Sequence, residues 1–166
     1  FTKSSLGEQT TPVAVTIVDT SASVSSAAFP DLDLDAGQLG GSMTWAAPSD
    51  VSLVSNYVVY WADDAGGSNK VELDTLAVGT NALDMALDNA KSSRTHLLFF
   101  TKSSLGEQTT PVAVTIVDTS ASVSSAAFPD LDLDAGQLGG SMTWAAPSDV
   151  SLVSNYVVYW ADDAGG

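Results

Sequence analysis

Along most of the chain, apolar and polar residues alternate with a period of two, the spacing of strands whose successive side chains face opposite ways. Asp31-Leu32-Asp33-Leu34-Asp35 alternates strictly, which predicts a strand with both leucines on one face and three carboxylates on the other. Gly41-Ser42-Met43-Thr44-Trp45 also alternates, with Met43 and Trp45 inward, and Pro48-Ser49-Asp50 ends it. Asn56 to Ala62 is β-branched and aromatic, a strand closed by the turn residues Asp63-Asp64-Ala65-Gly66-Gly67. Shorter strands are expected over Lys70 to Thr75 and Ala82 to Leu87, although the Ala and Leu content of Asn81 to Ala90 also suits a helix. A long apolar strand from Thr95 to Lys102 is turned by Leu105 to Pro111 into a last strand, Val112 to Val117. Seven short strands separated by turn residues predict an all-β chain folded as a β-sandwich.

The chain repeats itself. Phe1 to Gly67 recurs without one change as Phe100 to Gly166, an offset of 99 residues in a chain of 166. That period is too long for a solenoid coil or a propeller blade, and it fits a string of whole domains. The division expected is residues 1–19 as the final strands of a preceding repeat, 20–118 as one complete repeat with a linker over about 20–28, and 119–166 as the first three strands of the next. The chain opens within an expected strand and stops in a turn at Gly166, so a window within a longer array is expected.

Trp45 followed by Ala46-Ala47-Pro48, and then Tyr57-Val58-Val59-Tyr60-Trp61, resembles a fibronectin type III domain, and Gly106 in the last hairpin agrees. The resemblance implies tandem seven-stranded, immunoglobulin-like sandwiches. His96 departs from it, standing where the family places an inward tyrosine. The cell-binding Arg-Gly-Asp of some relatives is absent from Ser103 to Pro111, so integrin-type recognition is not implied. Asp33 to Gly41 and Thr101 to Pro111 are also similar to repeats in very large secreted surface proteins of marine algae and protists, which implies an extracellular or cell-surface location.

Charge narrows the partners. Twenty acidic residues against five basic ones leave a net charge of −15, and each 99-residue period carries −8. Such a surface repels phosphate, which argues against nucleic acid and anionic membranes. No apolar run approaches the roughly 18 residues of a membrane span. The chain has no cysteine, which removes disulfides, thiolate metal sites and thiol nucleophiles.

The alternating carboxylates Asp31, Asp33 and Asp35, with their copies Asp130, Asp132 and Asp134, are the candidate metal ligands, and calcium is the ion such hard oxygens suit. The spacing resembles the start of a calcium loop but lacks its glycine at the sixth position and its glutamate at the twelfth. Asp19 and Asp50 are placed to join the stripe at a junction; alternatively, the aspartates simply face water. Asp63-Asp64 is explained by turn chemistry. His96 has no His or Cys partner and no nucleophile elbow beside it, so a packing role, inward or half-buried, is expected and catalysis is not. Trp45, Tyr57, Tyr60 and Trp61 could stack on a sugar, but alternation splits them between faces and assigns Trp45 to the core.

Thr20 to Ala28 lacks charge, Gly and Pro, so it is either a passive linker or an extended segment able to pair with an edge. Thr10, Thr11, Thr20, Ser21 and Ser23 are candidate O-glycosylation sites, and no Asn-x-Ser/Thr sequon exists. The function expected is structural: the repeating unit of an extracellular filament, stalk or fibre whose partners are copies of itself, with glycans as further partners. A ligand-binding adhesion module for carbohydrate or a cell-surface protein is the alternative, as is a calcium-stiffened extender of an adhesin. Invariant loops over Ala46 to Ser55 and Leu6 to Pro12 favour the spacer, because binding arrays vary their loops.

Overall fold

The computed structural model describes residues 1–162; the expected turn at Gly166 lies outside the described residues. Among the described residues every regular element is a β-strand. A two-residue hairpin opens the chain, β1 (Lys3–Ser4) against β2 (Gly7–Glu8). The body follows as β3 (Ser25–Ala28), β4 (Gln38–Ala46), β5 (Asn56–Ala62), β6 (Val71–Ala77), β7 (Ala82–Ala90), β8 (His96–Lys102) and β9 (Val112–Thr115). Then come β10 (Ser124–Ala127) and β11 (Thr143–Ala145), which pair with each other.

Two antiparallel sheets form the body, in the orders β3-β4-β7 and β6-β5-β8-β9. Their inner faces meet in one core, where Leu39, Met43 and Trp45 from β4 oppose Tyr57, Val59 and Trp61 from β5 and Leu97 and Phe99 from β8. Trp45 lies at the centre, edge-on to Tyr57 at 5.7 Å and tilted against Phe99 at 5.4 Å. Face-to-face packing of two antiparallel sheets is the sandwich arrangement that the alternation predicted. The segment Asn81 to Ala90 is strand and not helix, because its Leu83 and Met85 pack against the core with a period of two.

Strands β5 and β8 are apolar on both faces, for a reason visible on the outside of their sheet. Ala62, Leu98 and Phe100 form a second buried cluster there, with Tyr60 packed against it. His96 shares this outer face, half-buried, its Nδ1 at 2.7 Å from Thr95 Oγ1 and its Nε2 at 3.4 Å from Thr115 Oγ1. Its packing is therefore on the outer face and not inward, since Leu97 and Phe99 take the inward positions of β8.

Two corrections to the expected strands have physical causes. Asp31 to Asp35 is not a strand, and the first strand of the body is Ser25–Ala28, the last residues of the expected linker. Ser25 and Ala28 pair with Ala46 and Thr44 across a bulge at which Ser26 adopts φ of 49°. In the following copy, Asn155 to Trp160 forms no strand although its sequence is that of β5. The partners of β5 are β6 and β8, and β4 is not among them, so strand propensity alone leaves the copy unpaired. Trp160 is accordingly 74% exposed where Trp61 is 5% exposed.

Candidate functional site

The loop between β3 and β4 collects the candidate ligands; it turns Asp31 and Asp33 inward and leaves Asp35 exposed. Asp31 and Asp33 are both 4% exposed, whereas Leu32 is 51% exposed. The carboxylates turn inward because backbone amides draw them there. Asp31 Oδ1 accepts the Asp33 amide at 3.2 Å and the Gly40 amide at 3.0 Å. Asp33 Oδ1 accepts the Asp35 amide at 2.9 Å. These are successive turns in which an aspartate bonds its own backbone two residues on, a competitor of the strand conformation. The Leu32 amide donates to the Gly40 carbonyl at 2.7 Å and closes the loop against β4.

Gly40 and Gly41 permit this approach. A β-carbon on Gly41, where φ is +140°, would stand 2.5 Å from the Pro30 carbonyl oxygen, and one on Gly40 would stand 2.9 Å from the Leu87 α-carbon. Opposite them, β7 bulges: Leu39 pairs with Asn89 but Gly41 pairs with Met85, so β7 spends two extra residues there. The bulge puts Asp88 at φ 66° and aims its amide at Asp33 Oδ2, 2.7 Å away. That amide, followed by the Asp35 amide, holds the Asp33 carboxyl below its usual pKa, with burial acting in the opposite sense.

Two further hydrogen bonds tie the chain that leaves the body to this loop. Asp31 Oδ2 accepts the Thr119 amide at 2.8 Å. Asp118 accepts the Gly37 amide at 3.0 Å and pairs with Lys91 at 3.5 Å. Asp118 is the copy of Asp19; it reaches the acidic loop through the Gly37 amide and is not among the carboxylates that cluster there. Asp50 does not join the loop; its Oδ1 accepts the Ser52 amide at 2.8 Å.

As for a metal, Asp33, Asp35 and Asp88 can each offer one oxygen with all three within 4.8 Å of one another. Asp31 is not in this group; its two oxygens accept amides from Asp33, Gly40 and Thr119 instead. Asp88 was not a candidate in the sequence; its only advance signal is an Asp beside Asn89 in a strand facing paired glycines. In the second copy, Asp130 repeats the bonds to the amides of Asp132 (3.0 Å) and Gly139 (2.9 Å), and Asp132 accepts that of Asp134 at 2.8 Å. The Gly139 amide, then that of Asp132, holds the Asp130 carboxyl below its usual pKa.

The other candidates resolve as packing or turns. Asp64 Oδ1 accepts the amides of Gly66 and Ser68 at 2.9 and 3.0 Å, the turn chemistry expected. Trp45, Tyr57 and Trp61 are in the core, and Tyr60 is covered by Lys70, whose Nζ lies 4.2 Å from the ring centroid. Thr10, Thr11, Thr20, Ser21 and Ser23 are exposed, but the Ser23 hydroxyl accepts a hydrogen bond from Gln108 Nε2. No helix among the described residues is long and apolar enough to cross a membrane. In comparisons with known proteins, no family, no curated protein and no solved structure matches the chain.

Proposed function

We propose that the chain is a structural protein, a stretch of an extracellular filament, stalk or surface fibre built from tandem seven-stranded sandwiches of fibronectin type III type, one per 99 residues. The observation that carries this reading is the unchanged recurrence of 67 residues, exposed loops included. A spacer needs uniform beads, whereas a recognition array diversifies its loops. Identical units joined head to tail propagate one contact along an open rod. A charge of −8 per bead keeps neighbouring rods apart laterally, and acidic residues on the edge strands β6 and β7 oppose sheet-to-sheet pairing. Electron microscopy of native material tests the reading: long filaments with a bead-sized repeat support it, and isolated globular particles refute it.

A calcium-stiffened extender is the second reading, favoured by the convergence of Asp33, Asp35 and Asp88. Calcium should then raise the melting temperature, and replacing Asp35 and Asp88 by Asn should abolish the rise. Asn tolerates the left-handed backbone of Asp88, so the loop survives the exchange. No rise in the parent chain ends this reading. An adhesion module would instead use the open groove between Ser21, Leu53, Lys102 and Leu105, and a glycan-binding screen would detect it.

A further inference from the structure

The sequence identity of the two copies lets one residue be seen in two settings. Ala121 follows the body, and its amide donates to the Leu34 carbonyl at 3.1 Å. Ala22 is the same residue one repeat earlier, and its carbonyl accepts the Thr101 hydroxyl at 2.6 Å. The first contact belongs to the repeat behind the linker and the second to the repeat ahead of it. In a tandem array both act on one alanine. Between its amide and its carbonyl lie only its own φ and ψ.

We infer that consecutive repeats are locked at a fixed angle, with the Asp31–Gly40 loop of one repeat and the Thr101–Gln108 hairpin of the next both holding the same connecting segment. This deepens the structural reading proposed above and rests on it. Around the alanine the same division holds. Behind it, Asp31 takes the Thr119 amide at 2.8 Å, and Asp118 takes the Gly37 amide at 3.0 Å. Ahead of it, Gln108 bonds the Ser23 hydroxyl, and Val24 is buried in the core of the body it enters. The positions of Thr20, Ala22, Ser23 and Val24 are thus each held, by a bond or by burial, in one copy or the other. The composition agrees, because Thr20 to Ala28 contains no glycine to loosen the backbone. The buried carboxylate of Asp31 thus serves as a receptor for the backbone of the next repeat.

Amide hydrogen exchange on the full 166-residue chain tests this without any substitution. Thr20 and Ala22 have the same neighbours in sequence as Thr119 and Ala121, so their intrinsic exchange rates are equal. Among the described residues, only the second pair lies against an acidic loop. Thr119 and Ala121 should exchange at least about tenfold more slowly than Thr20 and Ala22. Asp31→Ala should erase the protection of Thr119 while the amides of Leu97 and Phe99 stay protected, and Asp130→Ala should change neither. On the other side, the backbone of Ser23 should be ordered in nitrogen relaxation and loosened by Thr101→Val. Equal exchange of the two pairs, or a mobile Ser23, overturns the inference. Filaments in the microscope together with equal exchange would keep the structural reading and leave a flexible string. Protected linkers without filaments would keep the junction and refute the filament.

Discussion

The hydroxyl of Tyr60 donates to Glu107 Oε2 at 2.7 Å, tying β5 to the hairpin that joins β8 and β9. Lys70 completes the group, with its Nζ 2.9 Å from Glu107 Oε1 and 4.3 Å from the Phe100 ring centroid. Burial first, then the bond to Glu107 and the negative charges of Glu107 and Glu72, push the Tyr60 pKa well above its usual 10.0. A raised native pKa contributes stability that is complete below pH 10 and lost as pH rises through the native value. An ultraviolet titration should therefore show Tyr60 still protonated where free tyrosine has ionised. Glu107→Gln should bring its titration down only in part, because burial remains. A full return to the ordinary value would mean that burial is not the leading cause.

Acid should act through the amide-bonded aspartates. Asp33 is held down chiefly by the Asp88 amide, Asp50 by the Ser52 amide and Asp64 by the Ser68 hydroxyl. As pH falls past the usual carboxylate value of 3.8, the unfolded chain takes up protons before these native carboxylates do. The stability they contribute is complete above that value and drains away as pH falls through their depressed native values. Melting curves should be level between about pH 7 and pH 5 and fall steeply below about pH 4. Asp33→Asn should lower the plateau and flatten the fall.

Gly41→Ala should be among the costlier single-methyl changes in the chain. Its β-carbon would meet the Pro30 oxygen at 2.5 Å, on a backbone with φ of +140°. Gly79 offers the control, with φ of +96° and nothing within 4 Å of an added β-carbon. Gly79→Ala should cost about 1 kcal/mol from backbone strain alone, and Gly41→Ala distinctly more. Denaturant midpoints decide it, and equal losses would mean that the loop yields freely.

Tyr57→Phe should leave stability unchanged or raise it by up to about 1 kcal/mol. The Tyr57 hydroxyl is buried in the core and has no hydrogen-bond partner among the described residues, so it is desolvated without return. Tyr57→Ala should cost about 3–5 kcal/mol, because the ring fills the space beside Trp45. A loss above about 1 kcal/mol for the Phe variant would assign the hydroxyl a partner.

Much of the fold was legible because strand sequences announce the faces they bury. Met43 and Trp45 on one strand, and the β-branched and aromatic run from Asn56 to Ala62, become β4 and β5, with Met43 and Trp45 inward as predicted. The acidic loop misled for a local reason. Asp-Leu-Asp-Leu-Asp has the period of a strand, but each short carboxylate also reaches an amide two residues on, and that bond wins. The loop is nonetheless encoded in its own residues, since the second copy forms the same bonds at Asp130 and Asp132 without β7 beside it.

The sequence by itself therefore determined the repeat, the all-β class, the inward face of β4 and the turns of the acidic loop. Apart from the repeat, these follow from side-chain chemistry within a few residues. Tertiary structure alone decided whether a strand-forming segment becomes a strand. Identical residues form β5 in the first copy and stay unpaired in the second, because β6 and β8 lie beside only the first. It also decided that Asp88 and Thr119 come to the acidic loop. They lie 55 residues beyond Asp33 and 88 beyond Asp31, and local periodicity carries no information about such closures.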